Sequence, residues 1–336
     1  MDSTARQTPD LEYGPLREGD ERRISELITR MSTDGTHLRL RDKSPAYYRW
    51  MYRDNPAGAA IVHSARLGDR IVASFAIAPK IVEIDGERVV LGKTMDMFTD
   101  PQWQGHGLMR QCTDAVFEAA RAAGIQGWYV TPSVNSYPIF SARWGYREEF
   151  SLGYRLRVVP PGPIGRRLRL PATATLEWVD RFDESADALW AEVSSGYRVA
   201  LVRDAAYLTW RYADNPDDYD LLTLRDSGRL TGIAVLGRTI RRGVPVGEVM
   251  DLVHRREDAR TREVLVRALS ARAAERGCRL VQAWSVPGTR LDTELRRAGL
   301  RWRRGEVKFL LSPDFPGEAA SDPDAWLLSQ GDGNDV

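Results

Sequence analysis

The sequence predicts an α+β protein built twice, as two tandem domains that each fold a mixed, mostly antiparallel sheet flanked by helices. Three observations carry this expectation. The phrase "SPAYYRWMYRDNP" begins at Ser44, and a close copy, "DAAYLTWRYADNP", begins 160 residues later at Asp204. That spacing is too long for a solenoid repeat, which recurs every few tens of residues, so it points to duplication of a whole domain. The length of 336 residues is about twice that of a single core. The same order of elements, ααβββαβαβ, can also be read in each half.

Each copied phrase reads as one short helix. Ser44 with Pro45, and Asp204, are start signals, and Asp-Asn-Pro stops the helix at Pro56 and Pro216. Next come "AIVHSARLGDRIVASFAIAP" and "LLTLRDSGRLTGIAVLGRT", alternating segments broken by Gly-containing turns, which predict two strands per half. A third strand follows Asp85-Gly86 in one half and Arg242-Gly243 in the other. Both third strands contain Gly-x-x-Met-Asp: Gly92, Met95 and Asp96, then Gly247, Met250 and Asp251.

Helices are predicted over 107–123 and 257–276, stopping at Gly124 and Gly277. In the first, Leu108, Cys112, Ala115, Val116, Ala119 and Ala123 keep the rhythm of a buried face. A strand, a short helix and a closing Gly145-Tyr146 or Gly299-Leu300 complete each half. "VVPPGPIGRRLRLPA", over 158–172, holds four prolines and two glycines and reads as a linker. The expected boundaries are a disordered 1–11, a first domain 12–158, a linker 159–174, a second domain 175–312 and a loose tail 313–336. That tail has six acidic residues and no Lys or Arg.

Composition narrows the function. With 43% hydrophobic and 28% charged residues the chain reads as globular, and no apolar run approaches the ~20 residues of a membrane span. The polar start "MDSTARQTPDLEY" lacks an apolar leader, so the expected compartment is the cytoplasm. Cys112 and Cys278 make neither a disulfide framework nor a metal cluster, and no metal is expected. Lys plus Arg (48) nearly balances Asp plus Glu (47), which gives no electrostatic reason for nucleic-acid binding. A small-molecule partner is expected.

Chemistry concentrates in "FTDPQWQGHGLMRQ", where a strand ends and a helix begins. Gln104, Gly105, His106 and Gly107 fall at the start of that helix, where unpaired N–H groups and the helix dipole favour an anion. Glycine lets a phosphate approach the backbone, although a lone Gly-x-Gly is equally at home in an ordinary loop.

At this point the chain resembles the GNAT acyltransferase superfamily, whose pyrophosphate-binding motif is Gln or Arg, two residues, Gly, one residue, then Gly or Ala. Gln104 and Gly107 match, Leu108 fits the aliphatic position, and Met109 departs from the final small residue. Thr99-Asp100-Pro101 and "PSVNSYPIFSARWGY" are also similar to the superfamily, and the resemblance spans roughly residues 12–158.

The resemblance implies an acyl-CoA co-substrate, acetyl-CoA by default, with its pyrophosphate on the backbone of residues 104–109. Backbone groups of Phe98 and Thr99 would hold the pantetheine arm, and Asn135 matches a polar position near the cofactor. The implied reaction is acyl transfer to the primary amine of a small molecule.

Such a site must remove a proton from an ammonium group. For an amine like that of lysine this costs roughly 4 kcal/mol at about 1.4 per pKa unit. Asp96, on the strand that leads into the loop, is the candidate base, but its repetition as Asp251 supports a structural role equally well. The acid is less defined. Many relatives have Tyr four residues before the final Gly, whereas Ser141 stands there in this chain. Tyr137 is the candidate donor, against the simpler reading of a tyrosine packed at the surface.

His106 either touches a phosphate or faces solvent. Trp50 and Trp210 recur at matched positions and read as packing, and Cys112 reads as buried and inert. In the second half the corresponding passage is "DLVHRREDARTREVL", without glycine, so cofactor binding is expected in the first copy only. There Arg260 and Arg262 read as crowding the phosphate position from a solvated helix face. Two further readings remain open from the sequence: a non-catalytic acyl-CoA-binding module, and transfer from aminoacyl-tRNA as in tandem peptidyl-bridge-forming transferases.

Overall fold

In the computed structural model, residues 10–33, 43–160, 170–317 and 321–333 are described. The expected loose segment 1–11 and the middle of the expected linker lie largely outside them. The chain forms two compact units, residues 1–79 with 92–125, and residues 80–91 with 126–336.

The elements run β1 (Glu12–Pro15), α1 (Asp20–Thr33), α2 (Pro45–Arg53), β2 (Ile61–Leu67), β3 (Arg70–Ile84), β4 (Glu87–Thr99), α3 (Leu108–Ala122), β5 (Trp128–Val130) and β6 (Arg147–Val158). The second copy gives β7 (Ala174–Val179), α4 (Ser185–Ser194), β8 (Val199–Leu201), α5 (Ala205–Leu208), β9 (Asp220–Asp226), β10 (Arg229–Arg241) and β11 (Val244–His254). It continues with α6 (Ala259–Glu275), β12 (Leu280–Ser285), α7 (Arg290–Arg297), β13 (Trp302–Leu311) and β14 (Trp326–Leu327). The expected order therefore appears twice, with β1, β7, β8 and β14 added. In place of a second short α-helix the first copy has a π-helical turn, Ile139–Arg143.

In the first unit β1, β2, β3 and β4 are neighbours in that order. Helix α1 buries Ile24, Leu27, Ile28 and Met31, an i, i+3, i+4, i+7 stripe that seats it on the core. Helix α3 buries Leu108, Cys112, Thr113, Val116 and Ala120, close to the predicted face.

The copied phrase owes its form to three local devices. Ser44 accepts a hydrogen bond from the Tyr47 N–H at 3.2 Å, and Asp204 from the Tyr207 N–H at 2.9 Å, so each caps its helix. Asn55 accepts from the Ala57 N–H and Asn215 from the Asp217 N–H, two Asx turns that carry the chain out of the helix. The third device is the closing tyrosine, Tyr52 or Tyr212, whose partner is described with the site. At the hairpins both turn residues have positive φ, Asp85 and Gly86 at 51° and 86°, Arg242 and Gly243 at 53° and 78°. This is the twist that a two-residue hairpin loop requires.

In the second unit the strand order is β5-β13-β6-β12-β11-β10-β9-β7. β11 and β12 are parallel, and β10 with β11, β12 with β6, and β13 with both β5 and β6 are antiparallel. The two copies have exchanged their last strands: β13, from the second, stands between β5 and β6 of the first, and β6 stands between β13 and β12. The exchange explains why the compact units do not divide at the expected linker, since β5 and β6 sit in one body with the second copy. Apolar patterning identifies a strand but not its neighbour, so the sequence could not show this.

The second-copy core is α6 on β9–β12. A Cβ on Gly247 would lie 2.9 Å from the Ala273 Cβ, so glycine in that strand admits close approach of α6. The expectation of a loose tail over 313–336 is overturned for the described residues. Trp326, Leu327 and Leu328 are buried, and β14 pairs with β8 in parallel. Asp332, at 2% exposure, receives two hydrogen bonds from the buried Arg203 at 2.8 and 3.0 Å. Acidic composition was misleading because the apolar triplet supplies burial and one carboxylate answers a buried cation.

Candidate active site

The loop after β4 is built by Asp100. Its buried carboxylate caps a 3₁₀ turn, Pro101–Trp103, by accepting from the Gln102 N–H at 3.1 Å, and it also receives Arg30 and Arg70. Burial pushes this carboxyl up, but the bonds from Arg70, the Gln102 N–H and Arg30 outweigh it and hold the group below its ordinary value. Gln104, Gly105, His106 and Gly107 follow, all exposed. Gly105 and Gly107 have φ of 81° and 75°, and a Cβ on either would meet nothing within 4 Å. Among the described residues nothing crowds either Cβ position, and the backbone conformation is what demands glycine.

Gly107 is the N-cap of α3, and no side chain caps it. Of the first-turn N–H groups, that of Arg110 donates to the Gly107 carbonyl at 3.1 Å, and the helix dipole is positive at this end. Leu108 is buried and anchors the helix start, while Met109 is half-buried. The Gln104 side chain donates to the Thr99 carbonyl at 3.3 Å, and His106 Nδ1 lies 3.0 Å from the Gln104 carbonyl, which it meets as the N–H tautomer. Phe98 and Thr99 lie half-buried at the end of β4.

Asp96 sits two residues before Phe98 with φ 51°, a left-handed kink in the strand that Asp tolerates better than bulkier residues. It is half-buried, and the Tyr52 hydroxyl donates to Oδ2 at 2.8 Å. Burial, then the nearby Asp96 charge, pushes the Tyr52 phenol well up, so it stays a donor. The second copy repeats the pair: the Tyr212 hydroxyl donates to Asp251 Oδ2 at 2.7 Å. Asp251, however, is buried and also receives Arg203 Nε at 2.7 Å. The repeated tyrosine and the repeated Gly-x-x-Met-Asp are thus two halves of one contact. Because it survives without the glycine loop, the pair has a structural role, and only Asp96 keeps partial exposure.

Asn135 and Tyr137 belong to the other compact unit. Asn135 is exposed in the turn after β5. The Tyr137 hydroxyl donates to Glu148 Oε2 at 2.7 Å, and Glu148 also receives Lys308 Nζ at 2.8 Å and the Ser151 hydroxyl at 2.9 Å. The bond to Glu148, then burial, raises the Tyr137 pKa, which makes it a weaker acid. The Ser141 hydroxyl is turned back onto the Tyr137 carbonyl at 2.9 Å. Sequence reasoning missed Glu148 and Lys308, because they meet only through the strand exchange. We expect Tyr137→Phe to change turnover by less than about threefold, since the phenol's proton is already committed to Glu148. A loss above about a hundredfold, with normal folding and acetyl-CoA affinity, would make Tyr137 the acid.

At the matching start of α6, Asp258 accepts from the Thr261 N–H at 2.9 Å, so a carboxylate occupies the helix end that α3 leaves uncapped. The expectation of Arg262 on a solvated face is wrong: it is buried, pairs with Glu294 and donates to His254 Nε2 at 3.0 Å. His254 Nδ1, 2.7 Å from the Arg255 carbonyl, must then carry the proton. Burial, followed by the Arg262 charge, lowers the His254 pKa to about 3.

A histidine held neutral in the fold contributes stability that is complete above its unfolded pKa near 6.5 and declines as pH falls from there toward 3. The expected loss is about 1.4 kcal/mol per pH unit in that window. Urea titrations of wild type and His254→Gln at pH 7, 6 and 5 should show a shallower decline in the variant. Cys112 is buried and its thiol is pushed up to about 12 by burial, consistent with an inert core residue.

No family model and no curated protein sequence matches the chain. Solved structures do. A tandem GNAT protein from the clavulanic acid biosynthesis pathway superposes with TM-score 0.61 at 16% identity, over 92% of this chain and 100% of that one. The fold is that of a tandem GNAT protein. A GCN5-related N-acetyltransferase from Anabaena variabilis also superposes, with TM-score 0.60, 14% identity and 90% and 72% of the two chains covered. Saccharomyces cerevisiae N-myristoyltransferase with bound myristoyl-CoA gives 0.63 at 10% identity, over 92% of this chain and 84% of the other. Among the described residues no helix is long and apolar enough to cross a membrane, and no cluster of metal-ligating side chains occurs.

Proposed function

We propose that the chain is an acyl-CoA-dependent N-acyltransferase whose first copy binds the acyl-CoA and whose acceptor is the primary amine of a small molecule. The observation that carries this is the contrast between two helix starts. Among the described residues α3 opens from two left-handed glycines that nothing crowds and no side chain caps, whereas α6 is capped by Asp258. The likeness to an N-acetyltransferase and to an N-myristoyltransferase holding myristoyl-CoA adds support for the acyl donor. Acetyl is the default acyl group.

In this reading the first-turn N–H groups of α3 take the pyrophosphate, with no lysine or metal required. Backbone groups at Phe98 and Thr99 take the pantetheine arm, which requires the Gln104 side chain to leave the Thr99 carbonyl. A backbone N–H directed at the thioester oxygen as charge develops is worth about 3 kcal/mol. Asp96 receives the proton of the acceptor ammonium. The departing thiolate, with a solution pKa near that of cysteine at about 8.5, takes its proton from water.

A second reading, an acyl-CoA-binding module without turnover, draws on the committed hydroxyls of Tyr137 and Ser141. Calorimetry with acetyl-CoA followed by a turnover screen on amines separates the two. Binding with turnover on some amine supports the enzyme, binding alone supports the module, and no binding refutes both.

A further inference from the structure

We infer that the second copy holds a peptide-binding site, occupied in cis by the chain's own C-terminal segment. β11 and β12 are paired only over Val246–Val249 and Leu280–Ala283. A cleft here is lined by Leu252 and His254 at the end of β11, Trp284 of β12 and Leu291 of α7. Leu327–Gln330 of the C-terminal segment also line it. A second cavity, which shares Leu327 and Leu328 with the first, is lined by Arg256, Thr289, Arg290 and Trp326–Leu328.

The segment is held as a bound peptide is held. Its two-residue strand β14 adds to β8, with Trp326 opposite Val199 and Leu327 opposite Ala200. Its Asp332 carboxylate meets Arg203. The carbonyls of Gly331 and Gly333 accept from Arg211 at 3.4 Å each. At Gly331 a Cβ would collide with the Tyr212 hydroxyl and lie 2.9 Å from Asp251 Oδ2, and at Gly333 one would lie 2.7 Å from the Trp284 ring. Backbone thus rests directly on the Tyr212–Asp251 pair, the duplicate of Tyr52–Asp96.

The fit also leaves polar groups unanswered. Gln330 is 1% exposed, yet neither its amide nitrogen nor its oxygen has a partner among the described residues, and the same holds for the Trp284 indole N–H. Core segments bury few such groups, because each unmade bond costs about 1–3 kcal/mol. Gln330 and Trp284 both line the cleft, which we read as a site that the segment fills incompletely. The ligand class is a peptide with adjacent leucines at the end of a short strand and, after a tight turn, an aspartate four residues past the second leucine, the spacing of Leu328 and Asp332.

The test uses the full chain and a fluorescein-labelled synthetic peptide covering Ser321–Gly333, read by anisotropy. A tethered segment acts at an effective concentration in the millimolar range, so wild type should exclude micromolar peptide. The double variant Gly331→Val/Asp332→Lys should release the segment in cis and bind the peptide at least tenfold more tightly than wild type. A peptide carrying Lys in place of Asp332 should not bind. Equal binding to both proteins, or none to a folded variant, would overturn the inference.

Hydrogen exchange of the wild type covers the case in which the double variant does not fold. Amides of Trp326–Asp332 should exchange by local opening, faster than those of β10 and β11. Exchange of both only through global unfolding would make the segment plain core and refute the site. Neither measurement reads acyl transfer, so either result leaves the proposed activity unaffected.

Discussion

Gly107→Glu is expected to abolish acetyl-CoA binding, with an affinity loss of more than about a hundredfold and a protein that remains folded. Folding should persist because a Cβ at this exposed position meets no described atom within 4 Å, leaving chiefly the penalty for a non-glycine residue at φ 75°. That penalty is about 1–2 kcal/mol. Binding should fail because the new carboxylate is delivered to the uncapped N-terminus of α3, the position where the phosphate is proposed to sit. It both competes for the first-turn N–H groups and repels the anion. The second copy already contains this experiment in the form of Asp258, which caps α6 through the Thr261 N–H. Calorimetry should therefore find one acetyl-CoA per wild-type chain and none in the variant. Unchanged affinity in Gly107→Glu, or two equivalent wild-type sites, would contradict the single-site reading.

What the sequence could and could not reveal follows from the range of the interactions involved. Caps, turns and strand alternation are local, so Ser44, Asp204, the hairpins at Asp85-Gly86 and Arg242-Gly243 and the glycine loop were legible from residue type and spacing. The link between the repeated tyrosine and the repeated aspartate was visible only as two separate repetitions, because 44 residues separate Tyr52 from Asp96. The exchange of β6 and β13 left no local signal, and with it went the grouping of Tyr137, Glu148 and Lys308. The tail misled for a related reason. Its acidic composition describes solubility, whereas its structure depends on a buried arginine 129 residues away.

The two aspartates of the Gly-x-x-Met-Asp strands offer an internal control for catalysis, and we expect their isosteric amides to separate cleanly. Asp96→Asn should lower turnover by about 10² to 10⁴, the range for loss of a general base, with acetyl-CoA affinity nearly unchanged. Its stability should change little, because an amide oxygen can still accept from Tyr52 and the site is half-exposed.

Asp251→Asn should do the reverse. Turnover per folded molecule stays near wild type, while stability falls, because Asp251 shares the fully buried Arg203 with Asp332. Losing every partner of a buried charge costs about 3–5 kcal/mol. Since Asp332 remains, the expected loss is smaller, on the order of 2 kcal/mol. Urea denaturation and saturation kinetics on the same two proteins decide the matter. If Asp96→Asn keeps full turnover, Asp96 is not the base, and the acceptor's proton must leave through water. If instead Asp96→Asn loses stability and acetyl-CoA affinity together, the kinked strand end needs the carboxylate to keep its shape, and the base must be sought elsewhere.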